Sequence, residues 1–130
     1  MAKTAGSIEL AFLGDAEFTR YVRRRLIGES DGKSGQLTRA ANRLVSAVYQ
    51  SAYFTAIADE LNEEEAAVAR RARNAHTPAH AKNAGLADYK RATALEAVFG
   101  WLSLEGDFKR LDGLMEKCYE LGKIRLGEAK

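Results

Sequence analysis

Residues 7–28 read SIELAFLGDAEFTRYVRRRLIG. Ser7 has the chemistry of a helix N-cap and Gly28 that of a helix stop. Between them Ile8, Ala11, Phe12, Phe18, Val22 and Leu26 recur at helical spacing, which predicts an amphipathic helix from Ser7 to about Leu26. Two residues break its pattern. Gly14 is a poor helix former, by ~1 kcal/mol against alanine, and points to another backbone passing close by. Asp15 stands within the apolar stripe, with Ala11, Phe12, Phe18 and Thr19 as its helical neighbours. An ionised carboxylate there loses hydration at considerable cost unless a cation or hydrogen-bond donors replace the water.

The rest of the chain continues the helical theme. There is one proline in 130 residues, β-branched residues are scattered, and period-two alternation is absent, so the fold class is all-α. A second helix is expected from about Gln36 to Leu61, broken once, with Leu37, Ala40, Ala41, Leu44, Val45, Val48 and Tyr49 facing inward. Asn62 and Glu65 form a capping-box pattern for a third helix ending near Asn74. Residues 75–86, with Pro78, Gly85, His76 and His80, read as a loop; the histidines lack a partner acid or cysteine that would make them metal ligands. A fourth helix is expected over Ala87–Leu104. Gly106 interrupts it, and a fifth covers Asp107–Leu121 with Phe108, Leu111, Leu114, Met115 and Tyr119 inward. Tyr49, Tyr53, Phe54 and Trp101 read as core or interface rather than base-stacking residues.

This length predicts one domain, residues 1–130 with a core over about 7–122. Hydrophobic residues at 46% and charged residues at 29% exclude wholesale disorder. The single Cys118 forms no internal disulfide, and neither a membrane span nor a secretory leader is readable, so a cytoplasmic protein is expected. A net charge of +2 does not announce a nucleic-acid binder, but its distribution is uneven. Arg70, Arg71, Arg73, Lys82, Lys90 and Arg91 face a single acid, Asp88, in their segment, and Arg20, Arg23, Arg24 and Arg25 form a second cluster. Such a pattern fits a polyanion surface or a solvated helix face.

Glu96 is a second carboxylate out of place, surrounded by Ala92, Thr93, Phe99 and Gly100. If the helices of Gly14 and Gly100 cross at those glycines, Asp15 and Glu96 face each other across a narrow gap. Both cannot stay ionised without compensation: either one is protonated or a divalent cation lies between them. Oxygen-only ligands favour Mg²⁺ or Mn²⁺. A pairing of Asp15 with a buried arginine, with Glu96 exposed, is the alternative.

Leu10-Ala11-Phe12-Leu13-Gly14-Asp15-Ala16 resembles the signature helix of the ribonuclease III family, and Leu95-Glu96-Ala97-Val98-Phe99-Gly100 resembles its second motif. Arg71-Ala72-Arg73-Asn74-Ala75, Lys82-Asn83 and Tyr89-Lys90-Arg91-Ala92-Thr93 are similar to marks of its short bacterial branch, Mini-ribonuclease III, which lacks a double-stranded-RNA-binding domain. Val45-Ser46-Ala47 and Glu63-Glu64-Glu65 also match, so the likeness runs from about Leu10 to Leu111. Positions that carry further acids in full-length ribonuclease III hold Ile8, Ala11 and Thr93 here. Within the short-branch pattern, Ala72 replaces glycine, Thr38 replaces histidine, and Glu17 stands where an apolar residue is usual.

The resemblance implies a ribonuclease III helical bundle that hydrolyses double-stranded RNA with Mg²⁺, or Mn²⁺ as a substitute, as a homodimer. It implies Asp15 and Glu96 as catalytic and metal-holding residues, and precursor large-subunit (23S) ribosomal RNA as the substrate. The RNA-binding work falls to Arg71, Arg73, Asn74, Lys82, Lys90 and Arg91, with Arg23, Arg24 and Arg25 as further candidates. The rivals are a non-catalytic helical RNA-binding ribosome-assembly factor and an adaptor bundle with no RNA role.

Overall fold

The computed structural model describes residues 5–30, 34–75 and 85–128, all helix and connecting turns. In chain order the elements are α1 (Ser7–Glu29), α2 (Ser34–Leu44), α3 (Ala47–Ile57), α4 (Glu63–Arg73), α5 (Leu86–Glu105) and α6 (Phe108–Glu128). The all-α expectation holds. Lys82, His76 and His80, with most of the expected 75–86 loop, lie outside the described residues.

Local chemistry accounts for most boundaries. Gly6, not Ser7, is the N-cap of α1, and its N–H donates to Glu9 Oε1 at 2.8 Å. Gly28 is helical, and α1 runs on to Glu29. The long helix expected over 36–61 is broken at Ser46, whose hydroxyl donates to the Arg43 carbonyl and accepts from the Tyr49 N–H, closing α2 and opening α3. A 3-10 turn over Ala58–Glu60 then leads to Asn62, where both arms of the capping box are made. Gly106 ends α5 in the left-handed region (φ 77°), and the Asp107 N–H closes the turn on the Leu102 carbonyl. Helix α6 continues past Leu121 to Glu128, and Gly122 within it is buried at a close approach: a methyl group there would collide with the Tyr53 hydroxyl and Leu44.

Helix α5 is the centre of the molecule. Ala94, Leu95, Ala97, Val98, Phe99 and Leu102 are buried around its circumference, as expected of a helix packed on several sides. Helices α1, α3 and α4 pack directly on it. Phe18 of α1 meets Phe99 at 5.4 Å and Tyr53 of α3 at 5.8 Å between ring centroids, joining the three helices. Tyr49, Tyr53 and Phe54 are core residues, and Trp101 is half-buried.

The inward face of α1 differs from the expected stripe. Leu10, Ala11, Gly14, Phe18, Val22 and Leu26 are buried, whereas Ile8 is exposed and Phe12 is 81% exposed. Val48 and Phe108, also expected inward, face outward. No described helix is long and apolar enough to cross a membrane.

Candidate active site

Two glycines create the closest helix contact in the site. A methyl group on Gly14 would lie 1.7 Å from the Glu96 carbonyl oxygen, and one on Gly100 would lie 1.9 Å from the Leu10 carbonyl oxygen. Backbone meets backbone, so no side chain can swing aside. Helices α1 and α5 therefore cross as expected at Gly14 and Gly100, which brings Asp15 and Glu96 together.

Asp15 faces solvent and Glu96 is half-buried. Burial, the neighbouring Asp15 charge and a hydrogen bond between the two side chains push the Glu96 carboxyl up to about 8, against a smaller opposing pull from Gln50. Among the described residues neither acid has a cationic partner, so the arginine-paired alternative is excluded there.

A third residue belongs to the pair. Gln50 of α3 is 2% exposed, and its Nε2 donates to Glu96 Oε2 at 3.2 Å and to the Val45 carbonyl at 2.9 Å. Its Oε1 is buried with no hydrogen-bond partner. Sequence reasoning missed Gln50. The available signal was a carboxamide within the otherwise largely apolar run from Ala47 to Ile57.

These groups fit a hard divalent cation. Two adjacent carboxylates, one of them held back from ionising by burial and then by the charge of the other, and an uncommitted carbonyl nearby are oxygen donors that lack positive charge. Among the described residues no group of three acids, histidines or cysteines gathers for a metal, so the protein would supply two charged ligands.

Two of the basic residues reach α3, the helix that carries Gln50. Arg73, at the end of α4, places its guanidinium 5.9 Å from the Phe54 ring centroid. Arg91 donates to Ser51 Oγ at 3.3 Å and lies 3.8 Å from Asp88. Ser51 adjoins Gln50 and precedes Phe54 by about one turn, so one helix touches both basic groups and the carboxylate pair. Arg71 and Asn74 are exposed at the end of α4, and Lys90 is half-buried in α5. Arg25 is committed elsewhere, donating to Tyr21 Oη and Glu120 while its guanidinium lies 4.4 Å from the Tyr119 ring centroid.

The unusual Glu17 accepts a 2.6 Å hydrogen bond from the Ser103 hydroxyl, a second tie between α1 and α5. Ala72 is 3% exposed, its methyl group taken into the core. Glu65, beyond its capping role, receives two hydrogen bonds from Arg110 at 2.9 Å each.

The ribonuclease III domain family matches residues 8–107, which include the whole α1/α5 crossing. The chain belongs to the ribonuclease III family. It is 42% identical over 112 residues to a Mini-ribonuclease 3 of Brevibacillus brevis, covering 86% of this chain and 84% of that one. A Mini-ribonuclease 3 of Streptococcus pneumoniae is 36% identical over 115 residues, covering 87% and 90%. A crystal structure of a Fusobacterium nucleatum protein superposes with a TM-score of 0.76 at 31% identity, covering 85% of this chain and 84% of that one. These likenesses assign the chain to the Mini-ribonuclease III branch, and this ribonuclease III protein is an endoribonuclease.

Proposed function

We propose that the protein hydrolyses phosphodiester bonds in double-stranded RNA with Mg²⁺, or Mn²⁺ in its place, held by Asp15 and Glu96. The observation that carries this reading is the convergence of those two acids, without a cationic partner among the described residues, at a glycine-to-glycine helix crossing inside a ribonuclease III domain. The Mini-ribonuclease 3 relatives supply the branch.

When bound, the divalent cation supplies Lewis acidity and neutralises charge on the phosphodiester. The chain's own residues do the rest. The crossing holds the two carboxylates at fixed separation, Gln50 orients Glu96, and the half-buried setting of Glu96 keeps bulk water from screening it. Arg71, Arg73, Asn74, Lys90 and Arg91, with Lys82 from the segment between α4 and α5, grip phosphates and 2′-hydroxyls, the groups by which A-form RNA is recognised.

The physiological form in this reading is a cytoplasmic homodimer of one catalytic domain acting on precursor large-subunit (23S) ribosomal RNA. The exposed Ile8 and Phe12 support dimerisation, since they share a side of α1 with Asp15 and leave an apolar surface to cover.

The test is incubation of long duplex RNA with purified protein in Mg²⁺ or in EDTA, beside Asp15→Asn and Glu96→Gln. Shortening of the RNA only with Mg²⁺ and unsubstituted protein is expected, with RNA binding retained by both variants. Binding without cleavage by the unsubstituted protein would leave a non-catalytic RNA-binding factor instead.

A further inference from the structure

The Gln50 carboxamide has a fixed orientation. Both Nε2 hydrogens are committed, one to the Val45 carbonyl and one to Glu96 Oε2. Turning the amide over would set Oε1 against the Val45 carbonyl oxygen, which can only accept, so that backbone carbonyl locks the group as it stands. Oε1 is then one covalent angle away from an atom that touches Glu96, buried, and without a donor. A buried carbonyl left unpaired is costly, and side chains placed so in a well-packed helix generally await a partner. No described residue donates to it. The carboxamide that carries it touches Glu96, one of the two acids that would hold a cation.

We propose that Gln50 is a positioning residue of the metal site, holding one Glu96 oxygen with Nε2 and offering Oε1 to the water shell of the divalent cation. This role rests on the nuclease reading above. It explains how a site with only two protein carboxylates restricts an ion that keeps much of its own water. It also explains why a carboxamide, with a donor on one side and an acceptor on the other, occupies the position: a carboxylate would repel Glu96, and an apolar residue would orient nothing. Residues behind metal ligands typically change metal affinity or activity by about ten- to a hundredfold when removed.

Mn²⁺ binding to the full chain is measured by calorimetry and by electron paramagnetic resonance for the unsubstituted protein, Gln50→Ala and Gln50→Met. Duplex-RNA affinity in EDTA and cleavage across a Mg²⁺ titration are measured in parallel. The expected result is Mn²⁺ affinity weakened about ten- to a hundredfold in both variants, with RNA affinity unchanged and cleavage partly restored at high Mg²⁺. A general loss of structure would not be repaired by metal. Gln50→Met keeps the side-chain volume should the alanine variant unfold. In the unsubstituted protein, the nitrogen–proton resonances of the Gln50 side-chain amide should shift on Mg²⁺ addition. Variants that bind Mn²⁺ like the unsubstituted protein, or an amide indifferent to Mg²⁺, overturn the role while leaving the nuclease intact. Unsubstituted protein that neither binds Mn²⁺ nor cuts RNA overturns the role and the nuclease reading together.

Discussion

Replacing Glu96 by glutamine should destroy cleavage and yet stabilise the metal-free protein at alkaline pH. The folded state holds the Glu96 proton up to about pH 8, whereas the unfolded chain releases it near the ordinary value of 4.5. Between those values the folded state carries the extra proton, so stability falls as pH rises through that window. At ~1.4 kcal/mol per pH unit the loss cannot exceed about 5 kcal/mol. Water access and relaxation around a half-buried group bring the expected figure to about 2 kcal/mol. A glutamine side chain avoids this loss, because it never ionises and its carbonyl can still accept from Gln50 Nε2. Urea unfolding in EDTA at pH 5 and pH 8.5 measures the difference directly, and titrations of groups remote from the pair cancel between variant and parent. Glu96→Gln should match its parent at pH 5 and exceed it at pH 8.5. Mg²⁺ should then stabilise the parent and leave the variant unchanged, since a ligand stabilises only the state that binds it. Equal stabilities at both pH values, without metal, would refute the claim that burial and the Asp15 charge together oppose ionisation of Glu96.

Gly14→Ala should lose at least about 3 kcal/mol of stability, at the upper end of overpacking costs, because the added methyl meets the Glu96 backbone rather than a movable side chain; calorimetry reads the fall in melting temperature. Arg110→Ala should cost about 3–5 kcal/mol by stranding the buried Glu65, read by urea unfolding at pH 7. Burial would raise the Glu65 carboxyl, but Arg110 and the Asn62 N–H together outweigh it and hold it below its ordinary range. The pair therefore stabilises above the unfolded value and is lost as pH falls, so the deficit of Arg110→Ala should shrink in acid. Phe12→Glu should abolish self-association in sedimentation experiments while leaving melting of the isolated chain nearly unchanged, since the ring is 81% exposed.

Features set by local chemistry were legible in the sequence. Asn62 and Glu65 satisfy each other's backbone within four residues, and Gly106 needs only its own φ, so no tertiary knowledge is required to place either. The Asp15–Glu96 meeting was legible for a different reason: glycine and acid adjoin on one helix, and small residues surround the acid on the other. What periodicity could not distinguish was which side of α1 meets its own chain. Ile8 and Phe12 keep helical spacing with the core residues but lie to one side of the buried arc, and an exposed apolar stripe is indistinguishable in sequence from a buried one. The break at Ser46 depends on a hydroxyl serving the backbone on both sides of it, and serine occurs freely within helices. Gln50 escaped because its importance lies in two partners, one a backbone carbonyl five residues back and the other a side chain on a separate helix.

Because the acids meet where two bare backbones touch, catalytic competence on the proposed function is a property of the finished fold rather than of either helix. In that reading a newly synthesised or partly opened chain carries the same acids and the same arginines, and would still meet RNA through the latter. On the proposed function it would not cut, since the acids come together at that crossing. If Asp15 and Glu96 do the cutting, the same crossing that builds the core would also guard against scission by immature or damaged forms of the chain.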